Sequence, residues 1–425
     1  MSKSCLPAAR PRSDRCKWTA AFAVLALTLS PTASPAQSGS VTFEELEARL
    51  ADHPSIAALQ REGEAREELS TAERALPDPV VSLGVGSIPV RNPGFTREPD
   101  ANKAIGVAQE IPNFGVRHAR SARQKSEADA VAAQIAYKMA QLRADLIAAL
   151  AEKRRAKEQL EFAEAQLKKY AQIQDILRGE VEAGRPVYYR LSEIDVERAD
   201  VERSIVALGS SLAQTDATLV ELVGEAPDNP PPAVTLTAWN GDALALHAAR
   251  LADAGVDIAK AGVREGKAEF GPDFGLSFTY QQREDGIDAA GASFQGDDWF
   301  AAGVSVSIPL WASKSQAPRL RAARARQAGA ELSYQAVARD IARRLSSLHA
   351  EHGAAERNIA LFERKAAAID GVIAGVKRNY EAGNGDYAQA LDAEIAKLTL
   401  LTELSAERAN AIVHAAYYNS ELVTP

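Results

Sequence analysis

Hydrophobic and polar positions follow two rhythms along this chain, and the slower one dominates. From Val116 to Arg178 there is no Gly and no Pro. Apolar side chains recur at Val131, Ile135, Met139, Leu142, Leu146 and Leu150, then at Leu160, Ala163, Leu167, Tyr170 and Ile173. Three-four spacing of this kind predicts a helix with one apolar face. At 1.5 Å per residue it would be roughly 95 Å long, more than a compact domain buries, so it reads as coiled-coil packing. One such helix is predicted at about 116–181 and a second at about 319–379. Shorter helical runs span Thr42 to Ala75, Arg190 to Val223, Asp242 to Glu269 and Tyr387 to Leu422. Their lengths predict two short helices stacked end to end beside each long one.

The faster rhythm has period two. Val81, Leu83 and Val85 alternate with Ser82, Gly84 and Gly86, and Ile105 and Val107 with Gly106 and Ala108. Phe274, Leu276, Phe278 and Tyr280 alternate with Gly275, Ser277 and Thr279. Phe300, Val304, Val306 and Ile308 do so with Gly303, Ser305 and Ser307. Strands are predicted at about 80–90, 102–111, 273–283 and 299–308. A half-buried sheet of a soluble protein gives this alternation. So does a membrane barrel, with its apolar face to lipid and its small polar face to a wet lumen. The strands match the crossing length of about 9–11 residues. Trp299 and Phe300 open one strand and Trp311 follows it, where interfacial aromatics belong. The other face is too small to fill a core. These points favour the barrel. Four strands cannot close one, since about eight is the minimum, and an open edge is not tolerated in lipid. Several chains must then share one barrel around a symmetry axis, and symmetry alone does not choose three over four.

The chain also repeats itself. Ile111-Pro112 recurs as Ile308-Pro309, Glu182-Ala183-Gly184 as Glu381-Ala382-Gly383 with Tyr188 matched by Tyr387, and Pro77-Asp78 as Pro272-Asp273. The offsets, 197, 199 and 195 residues, are nearly constant. That indicates a duplicated unit. We divide the chain into a leader (1–36), a first repeat (37–225), a Pro-rich linker (226–240) and a second repeat (241–425).

Composition changes the picture at the N-terminus. Lys3, Arg10, Arg12, Arg15 and Lys17 precede an apolar stretch from Trp18 to Leu29, and Ser34 and Ala36 follow at signal-peptidase spacing. This predicts a cleaved secretory signal, hence export. Cys5 and Cys16, the two cysteines, fall within it, so the mature chain has neither thiol chemistry nor a lipid-anchor cysteine. The leader carries five basic residues and one acidic, so its removal takes the net charge from −8 to −12. That excludes nucleic acid as a partner.

No catalytic constellation is present: no His-Glu-x-x-His, no Gly-x-Ser-x-Gly, no phosphate loop. His349 and His352 share a helix face, but no third ligand lies nearby, and they read as two solvated histidines. The mature chain has one Met, Met139, so it lacks the soft donors that would hold Cu(I) or Ag(I). No cofactor and no metal site are expected, and the chain is not expected to be an enzyme.

Duplicated halves, two strands per half opening through Ile-Pro into a very long helix, and a signal peptide together resemble the TolC family of outer-membrane efflux ducts. The resemblance covers essentially the whole mature chain. It implies a mainly α protein with a small β part. Long antiparallel helical hairpins would form an α-barrel tunnel in the periplasm, and each chain would give four strands to a 12-stranded barrel of a homotrimer in outer-membrane lipid. It also implies a periplasmic adaptor and an inner-membrane pump of the RND type as partners. Family tips run roughly Gly-x-x-(Ser/Thr/Asn)-x-x-Asp-(Val/Leu). Here they read Gly184-Arg185-Pro186-Val187-Tyr188-Tyr189-Arg190-Leu191 and Gly383 through Leu391-Asp392, with Arg190 and Gln389 where Asp is usual. The resemblance therefore implies one acidic ring, at Asp392 with Gln389 beside it, constricting the pore. It implies adaptor docking at Gly184, Tyr188, Arg190, Leu191, Gly383, Tyr387 and Leu391. The stretch Leu76 to Val85, with Ser87-Ile88-Pro89-Val90 and Gly106 to Pro112, looks like the outer-membrane components of heavy-metal efflux systems, of cobalt–zinc–cadmium and copper–silver type. Two other readings stand: a drug or one-step protein-secretion duct of the same fold, and a trimeric adhesive coiled coil at the cell surface. The last leaves two symmetric strand pairs unexplained.

Overall fold

The computed structural model describes residues 41–384 and 386–423. The predicted leader and both cysteines lie outside the described residues. Seven α-helices and six strands form among the described residues. Helices α1 (Phe43–Leu50) and α2 (Pro54–Ala72) precede β1 (Val80–Gly86) and β2 (Asn102–Ile111). Then come α3 (Phe114–Glu182), α4 (Tyr188–Val223) and α5 (His247–Ala268). After β3 (Asp273–Arg283), a small hairpin, β4 (Gly286–Ile287) and β5 (Ser293–Phe294), leads to β6 (Trp299–Ser307). Helices α6 (Gln316–Glu381) and α7 (Tyr387–Glu421) end the chain.

The long helices α3 and α6 have 69 and 66 residues, so each runs about 100 Å. The run predicted from Thr42 to Ala75 is two helices, because Pro54 at the start of α2 cannot continue α1. The stacking expectation holds, with one refinement. Helix α1, the start of α2 and the end of α4 meet against the middle of α3, where Leu46, Leu50, Ile56, Leu142, Leu146, Leu219 and Val223 form one core. The start of α5 meets the end of α7 in the same way, with Leu246 bridging Leu422. This second pair does not flank α6 alone. It lies between the two long helices and packs on both. The layer thus runs α2/α4, α3, α5/α7, α6.

The main sheet is antiparallel in the order β1-β2-β3-β6. Its order matches the helical layer because α2 leads into β1, β2 into α3, α5 into β3 and β6 into α6. Asn113 locks the central junction: its backbone N–H donates to Asp273 (2.7 Å) and its side-chain amide to the Ala268 carbonyl (2.9 Å). Register puts Leu83, Ile105, Tyr280 and Phe300 in one row and Val81, Val107, Phe278 and Ala302 in the next. The greasy positions of all four strands therefore share one face, and apart from the half-buried Leu276 their large side chains are exposed. The opposite face is crowded. A Cβ added at Gly106 would sit 2.6 Å from the Ser82 hydroxyl, and one at Gly275 would sit 2.4 Å from that of Ser305. The seryl hydroxyls fill the space that the glycines leave, and this small face would be the inner one of a barrel whose apolar face meets lipid.

Two expectations are corrected. β1 stops at Gly86 rather than near 90, since Ser87 takes a positive φ of 55° and Pro89 follows. Trp299 does not join Phe300 on the apolar face as an interfacial aromatic, because neighbours in a strand point oppositely. Phe300 lies on the apolar face, whereas Trp299 lies on the inner side under the Arg283 guanidinium, 4.4 Å from its ring centre. The segment predicted as a linker is strapped down: Asp228 pairs with Lys157, the Asn229 amide donates to the Val41 carbonyl, and Lys153 donates to the Ala226 carbonyl (3.1 Å).

Candidate functional site

Both long helices end in the same cap. Gly184, with φ of 84°, donates to the Val181 carbonyl (2.9 Å), and Arg185 donates to Glu180 (3.0 Å). Gly383, with φ of 80°, donates to Tyr380 (2.9 Å), and Asn384 to Asn379 (2.9 Å). This paired 5→2 and 6→1 bonding is the Schellman cap, whose left-handed position favours glycine. The caps turn the chain within a few residues, so that α4 starts at Tyr188 and α7 at Tyr387. The Asp386 side chain accepts from Ala388 N–H and caps α7 (2.9 Å); α4 begins without a side-chain cap.

The tip is held from inside by Ile173 and Leu177 of α3, Ile194 of α4, and Leu391 and Ile395 of α7. Leu391 has no exposure, and Leu191 packs on the same cluster. Both therefore help to hold the tip together, and Leu391 is covered within its own chain. Tyr188 (68% exposed) and Tyr189 (74%) are the prominent apolar groups at the first tip. Tyr387 leans on Tyr380, ring centres 5.2 Å apart. Tyr189 was not singled out by sequence; a second aromatic directly after Tyr188 was the available signal.

Arg190 organises the charges. Its guanidinium reaches Glu193 (2.9 Å), Glu197 (3.6 Å) and, across to α7, Asp392 (3.2 Å). The Glu193 hydrogen bond and the neighbouring carboxylates push the guanidinium pKa further up, so Arg190 stays charged at any physiological pH. The expected ring residue Asp392 is thus half-exposed but already tied to an arginine of its own chain. Gln389, one turn away, is exposed. One cation against three carboxylates still leaves the cluster acidic. Beneath it, burial raises the Tyr170 pKa, and the carboxylates of Glu197 and Asp392 add to the rise. A second tie lies on the other side of α7, where Glu394 accepts from Lys169 of α3 (2.7 Å) and Lys377 of α6 (2.6 Å). Burial opposes ionisation of Glu394, yet the two ammonium groups outweigh it and hold its carboxyl below the usual range.

The two histidines do not form a metal site. His349 sits against the Tyr418 ring, while His352 is buried and its Nδ1–H donates to the Ala411 carbonyl (3.0 Å). His352 is therefore a satisfied core group, not the solvated residue expected. Among the described residues no cluster of His, Cys, Asp and Glu is arranged to hold a metal. No described helix is long and apolar enough to cross a membrane.

A model of the outer membrane efflux protein family matches residues 46–225 and 244–413. No curated protein sequence matches. Several solved structures share the fold. The MtrE outer membrane channel of Neisseria gonorrhoeae, solved in its open state, aligns with a TM-score of 0.73 at 17% identity, over 89% of this chain and 88% of that one. CusC aligns at 0.72 and 16% identity, over 90% and 92%. The outer membrane protein VceC of Vibrio cholerae aligns at 0.69 and 18% identity, over 89% and 96%.

Proposed function

The chain belongs to the outer membrane efflux protein family, and from that premise we propose that it is the exit duct of a tripartite RND-type efflux machine. Three copies share one 12-stranded barrel in the outer membrane. Their helical layers close into a periplasmic tunnel whose tips meet an adaptor and, through it, an inner-membrane pump. One observation carries this reading. A four-stranded sheet with a continuous apolar face and two open edges runs directly into a helical layer about 100 Å long. Such a sheet is stable in lipid only when copies of itself close its edges.

Heavy-metal cations are the proposed cargo. The support is the likeness of Leu76 to Val90 and of Gly106 to Pro112 to metal-efflux components. The lack of soft donors fits a conduit, since a tight site would retain its cargo. Deleting the gene should sensitise cells to divalent or monovalent heavy-metal ions and leave drug tolerance unchanged. Drug sensitivity alone would move the reading to a multidrug duct of the same fold. A chain found only as a soluble periplasmic monomer would remove the channel reading altogether.

At the tip, Asp392 and Gln389 form the narrow point, with the Arg190–Asp392 pair tying the two tip helices together. Three symmetry-related copies of an acidic cluster attract cations to the axis. In planar bilayers, Asp392→Asn should weaken block by multivalent cations, and Arg190→Ala should strengthen it while raising the open fraction. Unchanged block in Asp392→Asn would remove the ring. Tyr188, Tyr189, Tyr387 and the capping glycines Gly184 and Gly383 offer the adaptor its surface.

A further inference from the structure

The helical layer has two free long edges, α6 on one side and the α1, α2, α4 stack on the other, and their charges are opposite. Helix α6 carries twelve basic and seven acidic residues, net +5. Helices α1, α2 and α4 together carry six basic and fourteen acidic, net −8. The asymmetry is sharpest on the outermost surface of α6. At 3.6 residues per turn, Arg321, Arg339, Arg343, Arg357 and Arg364 fall with Leu332 and Leu361 in one sector about 60° wide. All seven acidic residues of α6 lie outside that sector. Its buried residues, Ala323, Ile341, Leu345, His352 and Ala355, lie on the opposite side. The stripe therefore points away from the layer, with exposed apolar side chains among its arginines.

Height can be read across the layer from its internal contacts. Ser70 of α2 meets Ser121 of α3 (3.0 Å), Arg120 and Arg123 of α3 meet Glu265 of α5 (3.0 Å each), and Gly266 lies against Leu320 and Ala323 of α6. Glu68 on α2 and Arg321 on α6 therefore stand at one level, on opposite edges. Glu68 points away from Gly63, Arg66 and Ser70, which face α3. Both side chains are exposed, and neither has an ion-pair partner among the described residues. A rotation about an axis running along the helices preserves height. It therefore sets Arg321 of one copy level with Glu68 of the next.

The geometry points to a second copy of this chain as the occupant of the α6 edge, with Arg321 of one protomer paired to Glu68 of its neighbour and the arginine stripe selecting the acidic stack of the same protein. This inference rests on the ring proposed above and adds what chooses the neighbour. Charge pairing of this kind confers orientation and partner choice more than affinity, because a head-to-head encounter would oppose like charges.

A charge swap tests it in the full-length protein, extracted from outer membranes. Glu68→Arg and Arg321→Glu should each lower the temperature at which the trimer dissociates in SDS, and the double variant should restore it. Because both cysteines lie in the predicted leader, Glu68→Cys with Arg321→Cys should be joined by a short bis-maleimide into a covalent three-chain species that neither single cysteine gives. If the wild-type trimer forms but single reversals dissociate at its temperature, or the cysteine pair does not cross-link, the pairing is wrong and the ring stands. If the wild type is monomeric in the outer membrane, the ring and the pairing fall together.

Discussion

Gly184 and Gly383 terminate the two longest helices with the same bond pattern, and each needs a left-handed φ. An alanine there costs about 1 kcal/mol. Gly179 sits inside the last turns of α3 with open space where a Cβ would go, so an alanine there should instead stabilise the helix by roughly 0.5–1 kcal/mol. We therefore expect Gly383→Ala to speed protease nicking at the tip and Gly179→Ala to slow it. At this scale the sequence was legible where chemistry is local. A glycine after a long helix announces its cap, and Tyr188 and Tyr387 do start the returning helices. It was illegible where partners are distant. Nothing near Arg190 announces Asp392, 202 positions later. Nothing near Leu391 says that three helices converge on it, so it passed for a surface residue. His352 failed for the same reason, its carbonyl partner lying on another helix.

The stacked helices meet at a junction with its own chemistry. His247 at the start of α5 is buried and stacks on Tyr137 of α3, ring centres 5.8 Å apart. Tyr137 donates to Glu421 (2.9 Å), which also pairs with Arg344 of α6 (3.0 Å). Burial, reinforced by Arg250, lowers the His247 pKa below its ordinary 6.5. The unfolded chain then binds the proton more readily than the folded one, so stability falls as pH drops from 6.5 through the folded value. His247→Phe should keep the ring packing and remove that dependence, read as a flatter profile of thermal unfolding between neutral and mildly acidic pH. Glu394 behaves differently. Its depressed pKa stabilises the tip fully above the ordinary carboxyl value of 4.5, and that support is lost only as pH falls below it. Long elements were predictable because a 3.6-residue period sustained over sixty positions has few alternatives. The β4–β5 hairpin was not, because two-residue strands carry no period.

For the whole molecule, the two faces of the sheet have different tolerances. Leu83, at the centre of the apolar band, is 78% exposed in the isolated chain. An arginine there should cost about 2–4 kcal/mol in lipid and deplete trimers from the outer membrane, whereas Ser277→Lys on the inner face should assemble and alter ion selectivity. That the sheet has two sides was visible in four alternating runs. That all four share one face depended on register, which alternation alone leaves free. The matched caps carry a consequence for ancestry. Arg190 and Glu193 in the first half correspond, 199 residues on, to Gln389 and Asp392 in the second. In the proposed ring, three chains of two halves would amount to six near-equivalent sectors, the arrangement six identical shorter chains would have given. Such a hexamer would have carried the same side chain at all six tips. Joining two such units in one chain would free alternate tips to diverge, and an arginine on one could then clasp an aspartate on the other. The threefold pattern of that clasp is something a sixfold ancestor could not have encoded.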